Sequence, residues 1–254
     1  MEFTDKKYWK KNWKNLKLPA RFGNQYSRRV ISSKILNIIK ENKISIFTTI
    51  ELGGCPGKWA EFFNRKFEAF SDIIEYEKHS AKITEKNFKL LKIKGKVYNE
   101  DAFKNTAPKN YYDIVISSGL VEHFDKLDLI FKKHIELARP GGLVIISVPN
   151  LENNTFYSRH IDTEKSLKIQ RPIDILELKK ATKDNNLKVF YLGYLGVLNY
   201  GLTGPDKRID DFKSKLKTLF YISVEKLLRV FSIKRETKFY SPNIYLIAQK
   251  PYED

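Results

Sequence analysis

The run Glu51, Leu52, Gly53, Gly54, Cys55, Pro56, Gly57 combines residue types suited to holding a ligand. Glycines carry no Cβ and let backbone come close to a bound molecule, and a helix that follows such a turn begins with free N–H groups. Two familiar readings do not fit. A dinucleotide fingerprint needs G-x-G-x-x-G, and a P-loop needs Ser or Thr after its lysine, whereas Lys58 is followed by Trp59. Further along, acids stand where apolar runs end. Glu75 and Glu77 follow Ile73 and Ile74, and His123 follows the run from Tyr112 to Ser117. A carboxylate at a strand end accepts strong hydrogen bonds. An imidazole is the side chain most ready to take a proton near neutral pH.

The elements that must place these groups can be read from periodicity. Ile44, Ile46, Phe47, Thr48, Thr49 and Ile50 have the composition of a buried strand, and Trp59, Phe62 and Phe63 follow the glycine turn at helical spacing. Further strands are expected at Phe70–Ile74, around Val97, at Tyr112–Ser117, Leu143–Val148, Leu187–Leu192 and Ile244–Gln249. Helices are expected at His79–Leu91, Leu127–Leu137 and Ile173–Ala181. Ala138 to Gly142 reads as a sharp turn, because a proline and two glycines end a helix and reverse the chain. Residues 1–43 read as a helical extension in which Tyr8, Trp9 and Trp13 interleave with lysine, followed by a helical pattern at Val30, Ile31, Ile35, Leu36 and Ile39.

In this order the motifs resemble those of class I S-adenosylmethionine-dependent methyltransferases, of the small-molecule, ubiquinone-biosynthesis-like kind. Glu51 to Gly57 is similar to the family's E/D-x-G-x-G-x-G turn, with Cys55 in place of the middle glycine and Gly54 beside it. Asp113 to Ser117 resembles its D-x-V-x-S strand, and Val121, Glu122, His123 and Phe124 its apolar-Glu-His-apolar segment. The run ELARPGGLVIISVPN resembles its PGG turn and its apolar strand ending in Pro-Asn. The resemblance implies an α/β fold: a Rossmann-like seven-stranded sheet, mostly parallel with an antiparallel last strand, and helices on both faces. It divides the chain into the extension or lid at 1–43 and a methyltransferase domain at 44–250, with a helical insertion at about 206–235. S-adenosyl-L-methionine is the implied cofactor. Its implied contacts are Glu51, Gly53, Gly54, Cys55 and Gly57 from the turn, Asp101 and Ala102 at the adenine, and Ser117 and Ser118 beside the sulfonium. Either Glu75 or Glu77 would hold the ribose. His123 is the expected base for an oxygen acceptor, with a loop-fixing role as its alternative.

Composition leaves several partners open. A formal charge of +17 suits an anionic small molecule or glycan acceptor, RNA, or an anionic membrane surface, and is also produced by lysine-rich solvated faces alone. No arginine-rich tract or recognisable nucleic-acid motif favours RNA. The stripe Ile209, Phe212, Leu216, Phe220, Val224, Leu227 and Phe231 would line one helical face in the insertion, suited to packing on the domain, covering the substrate, dimerising or lying on a membrane. Trp9 and Trp13 would either pack in the core or cover the pocket, and the polar stretch 151–171, with Asn153, Asn154, Tyr157, Arg159 and His160, would cross the substrate mouth or form a surface loop. One cysteine and the lack of an apolar leader fit a cytoplasmic protein, peripheral at the membrane if the stripe binds there. Four scattered histidines point to metal-independent chemistry. A non-catalytic module of the same fold, binding a membrane or partner, is the competing class of function.

Overall fold

The computed structural model describes residues 3–23, 25–152, 168–196, 236–239 and 241–252, with isolated positions between 216 and 227. The insertion at 206–235 and the residues from Asn153 through His160 therefore lie outside the described residues, those isolated positions apart. Seven strands form one sheet in the order β3-β2-β1-β4-β5-β7-β6. They are β1 (Thr48–Leu52), β2 (Phe70–Ile74), β3 (Val97–Tyr98), β4 (Tyr112–Ser118), β5 (Ala138–Pro149), β6 (Lys188–Leu195) and β7 (Asn243–Gln249). The pairs from β3 to β5 are parallel, while β7 enters antiparallel to both β5 and β6. The fold is thus the Rossmann-like, mostly parallel sheet expected from sequence.

The sheet is buried on both faces because consecutive residues of its central strands, Ile114 to Ile116 in β4 and Leu143 to Ile146 in β5, are apolar whichever way they point. Ile114 and Ile116 point to one side, where α2 (Tyr26–Glu41) supplies Ile31, Ile35 and Ile39 and α3 (Lys58–Phe67) supplies Trp59, Phe62 and Phe63. Val115, between them, points to the other side, against Ile130 and Phe131 of α5 (Leu127–Leu137) and Leu178 of α6 (Ile175–Asp184). The remaining helices are α1 (Lys6–Trp13), in the N-terminal extension, and α4 (Lys78–Leu91), whose Phe88 packs on Ile73. Among the described residues, no helix is long and apolar enough to cross a membrane.

Two local expectations are corrected. The stretch from Ala138 to Gly142 is not a free turn but the start of β5. Tyr112 pairs with Ala138 and Ile114 with Leu143, so Asp113 stands opposite Arg139, Pro140, Gly141 and Gly142 across a wide bulge. Glycine is required at 142, where a Cβ would lie 2.7 Å from the Tyr112 carbonyl oxygen. The first strand also starts later, at Thr48 rather than Ile44, and the cause is the same residue. Asp113 Oδ2 accepts from the N–H groups of Phe47 at 2.7 Å and Thr48 at 2.8 Å, and its Oδ1 accepts from Arg139 Nε at 2.5 Å. One buried carboxylate therefore caps the entry to β1 and anchors the bulge of β5.

Replacing Asp113 with Ala strands two backbone donors and the Arg139 guanidinium. The expected loss is roughly 2–4 kcal/mol of unfolding free energy, read as a lower urea midpoint with unchanged m-value. A midpoint within error of the parent would show that water replaces the carboxylate at no cost.

Candidate functional site

A cavity of about 350 Å³ opens at the carboxyl ends of β1, β2 and β4. Connections leave β1 toward β2 on one side and reach β4 on the other, so the strand order diverges there and leaves a crevice. Of the residues singled out from sequence, Glu51, Gly53, Gly54, Cys55, Glu75, Asp101, Ala102, Ser118 and His123 line this one space. Gly57, Glu77 and Ser117 do not. Gly57 is the left-handed residue that precedes α3. Glu77 caps α4, accepting from the N–H groups of His79 at 2.9 Å and Ser80 at 2.8 Å and from the Ser80 hydroxyl at 2.9 Å. Ser117 is fully buried and donates to His134 Nε2 at 2.8 Å.

The turn explains its own sequence. A Cβ on Gly54 would sit 2.7 Å from the Glu51 side chain, so the missing side chain is what lets the loop fold over that carboxylate. Cys55 has no such constraint, since its φ is not positive, and its buried thiol turns toward the Thr84 hydroxyl. Burial pushes that thiol up to about 12, so it is an inert group at neutral pH.

Electrostatics separate the two strand-end glutamates. Glu75 is buried at the cavity wall, and burial raises its carboxyl to about 7 despite the N–H groups of Glu77, Cys55 and Tyr76. Burial acts in the same sense on Glu77, but the donors from His79 and Ser80 outweigh it and hold that carboxyl below the usual range. Glu51 is raised to about 8, by burial first and by the nearby Glu75 charge, against the N–H of Ala60 and the charge of Lys58. Its Oε2 is buried and has no partner among the described residues. The cavity thus presents two desolvated carboxyls held by main-chain N–H groups alone, one of them with an oxygen left unpartnered among the described residues, and such groups gain from a hydroxyl or ammonium donor.

The far wall was less legible. Trp9 and Trp13 of α1 line the cavity, and no residue of α1 is buried, so the alternative in which they fill the core is not what forms. Trp9 Nε1 donates to Thr4 Oγ1 at 3.1 Å, and its ring meets the His123 ring edge-on at 5.1 Å between centroids. The strap behind α1 is tied by Asn87 of α4. Its Oδ1 accepts from Ala20 N at 2.8 Å, and its Nδ2 donates to Ala20 O at 2.9 Å and to Pro56 O, in the glycine turn, at 2.8 Å. Arg28, Lys58, Gln25 and Tyr245 also face the space and were not singled out from sequence. His123 is buried. Burial pulls its pKa below the ordinary value, against the opposing effect of the Ile169 carbonyl, which its Nδ1 meets at 2.5 Å. A carbonyl only accepts, so the hydrogen sits on Nδ1 and the Nε2 lone pair is left to take a proton.

A family model described as "Methyltransferase domain" matches residues 21–191. No curated protein matches the sequence. Among solved structures, the chain is similar to geranyl diphosphate C-methyltransferase from Streptomyces coelicolor A3(2), in complex with Mg2+, geranyl diphosphate and S-adenosyl-L-homocysteine. That match has 12% identity, 88% of this chain and 78% of that one covered, and a TM-score of 0.61. It is also similar to a SAM dependent methyltransferase from Archaeoglobus fulgidus, at 19% identity, 87% and 93% coverage and a TM-score of 0.57. A third is phosphoethanolamine N-methyltransferase 2 from Haemonchus contortus with S-adenosyl-L-methionine, at 15% identity, 86% and 52% coverage and a TM-score of 0.61. At these identities the structural likenesses speak for the fold.

The buried carboxyls set a pH dependence. Glu51, Glu75 and Glu122 are raised to about 8, 7 and 8, so the native protein keeps protons that the unfolded chain, with carboxyls near the ordinary ~4.3, has already lost. Their contribution therefore favours the folded state at low pH and is lost as the pH rises through these values. The histidines lowered by burial, His134 to about 4 and His123 by a lesser step, act in the opposite sense only below about pH 6.5. Urea midpoints of the ligand-free protein should fall between about pH 6.5 and 8, and Glu51→Gln should flatten that slope. A flat profile in the parent protein would contradict the burial of these groups.

Proposed function

We propose, starting from a chain that belongs to the methyltransferase domain family, that it transfers the methyl group of S-adenosylmethionine to the oxygen of a small anionic acceptor. The observation that carries the reading is that one cavity is lined by two desolvated carboxyls, Glu51 with an unpartnered oxygen and Glu75 beside it, and by His123, whose pKa burial lowers. The residues present fit the cofactor. The unpartnered Glu51 oxygen faces the turn where its amino-acid end would be held, Glu75 would accept from the ribose hydroxyls, and Asp101 and Ala102 would meet the adenine. Bound there, the cofactor supplies an electrophilic methyl on a positively charged sulfur.

The protein's own work is alignment and proton handling. In-line displacement needs the acceptor held against the donor, and a wall of Trp9, Trp13 and Phe124 shapes that side of the cavity and excludes water from it. His123 accepts the hydroxyl proton at Nε2, which its lowered pKa keeps free at neutral pH. Arg28 and Lys58 at the cavity support an anionic acceptor, as do two structural neighbours whose own names include geranyl diphosphate and phosphoethanolamine.

Calorimetry with S-adenosylhomocysteine tests the cofactor half. Glu75→Ala should weaken binding by roughly 1.5–3 kcal/mol, whereas Glu77→Ala should leave affinity unchanged and cost about 1 kcal/mol of stability through the lost helix cap. No binding by the parent protein would remove the reading. In an acceptor screen that follows release of the same product, His123→Gln should lower turnover by about 10²–10⁴-fold without changing product affinity.

A further inference from the structure

The turn that carries His123 is gripped from behind by Arg171, which does not itself line the cavity. Three successive carbonyls of this turn, a single 3-10 turn at Val121–His123 and the residue after it, are each taken by a distant donor. Arg171 N–H donates to Glu122 O at 2.9 Å, Phe3 N–H to His123 O at 2.9 Å, and Arg171 Nε to Phe124 O at 3.0 Å. Two residues before Arg171, the Ile169 carbonyl takes the hydrogen of His123 Nδ1. The guanidinium is itself fixed. Its Nη1 and Nη2 donate to the two oxygens of Glu177 at 2.9 and 2.6 Å, and Glu177 stands in the first turn of α6, where its own N–H donates to the capping Asp174 at 2.8 Å.

From this arrangement we infer that Arg171 is a positioning residue for His123. It carries the rigidity of α6 to the turn and holds the Ile169 carbonyl where it selects the Nδ1–H tautomer. A bidentate arginine pair has the directional rigidity for this, since three separate nitrogens of one planar group reach Glu177 and Phe124 O, whereas the donors of a lysine all radiate from a single nitrogen. A loop anchor with no bearing on His123 would need only one of these contacts. Here both side-chain and main-chain donors of Arg171 converge on the two carbonyls that flank the histidine, and the same short segment sets its tautomer. The inference rests on His123 as the base, because only then does the choice of tautomer matter to turnover.

Nitrogen NMR of the histidine side chains in the 15N-labelled full chain tests it without any acceptor, with His123→Gln assigning the signal. The parent should show the Nδ1–H form. Arg171→Ala should mix in the Nε2–H form and move the His123 pKa upward, toward its ordinary value, as burial, the larger cause of its lowering, is relaxed. Binding of S-adenosylhomocysteine should stay within about twofold, since the carboxyl wall is untouched. Glu177→Gln, a milder change, should move both signals the same way by a smaller amount, and decides the matter if Arg171→Ala does not fold. Unchanged tautomer and titration in the folded variants would overturn the inference. A shifted tautomer together with full turnover in His123→Gln would leave the clamp standing and remove the base instead.

Discussion

Parallel pairing of β1 between β2 and β4 is the constraint on which the site depends. The register sets Glu51 beside Ile73 on one flank and Ile116 on the other, so three strands end at nearly one level. Gly53 N–H donates to Ile74 O at 2.9 Å, which carries the ladder one residue past the strand and into the turn. The groups that follow each strand, at 53–55, 75–76 and 118–120, then have to share one crevice. Asp113 secures this alignment from the opposite end of the sheet. It fixes where β1 begins and where β5 resumes its pairing after the bulge. Alignment at the reactive edge is thus held by a carboxylate at the far edge.

Burying a carboxyl oxygen without a partner is costly, and Glu51 at the cavity and Glu122 in the turn before His123 each keep one among the described residues, while Glu75 is buried at the cavity with main-chain N–H partners alone. Glu77 shows the other solution, a carboxylate fully occupied by a helix N-terminus. The contrast between two glutamates two residues apart separates a group whose oxygens are taken up by a helix start from one that is turned to the cavity. Ser117 and His134 belong with the first kind. His134 gives its Nδ1 hydrogen to Ile130 O at 2.8 Å and accepts from Ser117, so this buried pair is closed in on itself.

The sheet was legible because its signals are local. Apolar runs, the glycine turn and the Pro-Gly-Gly stretch each state their element within a few residues. What sequence could not show is which of two similar groups finds an internal partner. Glu75 and Glu77 read alike until the helix N-terminus claims one of them. Ser117 and Ser118 differ by one position along β4, which sends their side chains to opposite faces, the first to His134 and the second to Ser147 Oγ at 2.9 Å beside the cavity. The bulge at Pro140 looked like a free turn because nothing nearby in sequence announces the pairing partner that keeps it in the sheet. Arg171 lay in a polar stretch without periodicity, and its importance arises only from carbonyls some 47 positions earlier.

Asn87 has a consequence of its own. One amide side chain, wholly buried in α4, joins the strap at Ala20 to the glycine turn at Pro56, so these two segments behave as a single mechanical part. The wall that carries Trp9 and Trp13 and the turn folded over Glu51 therefore share one buried anchor, and cutting it at Asn87 would loosen both.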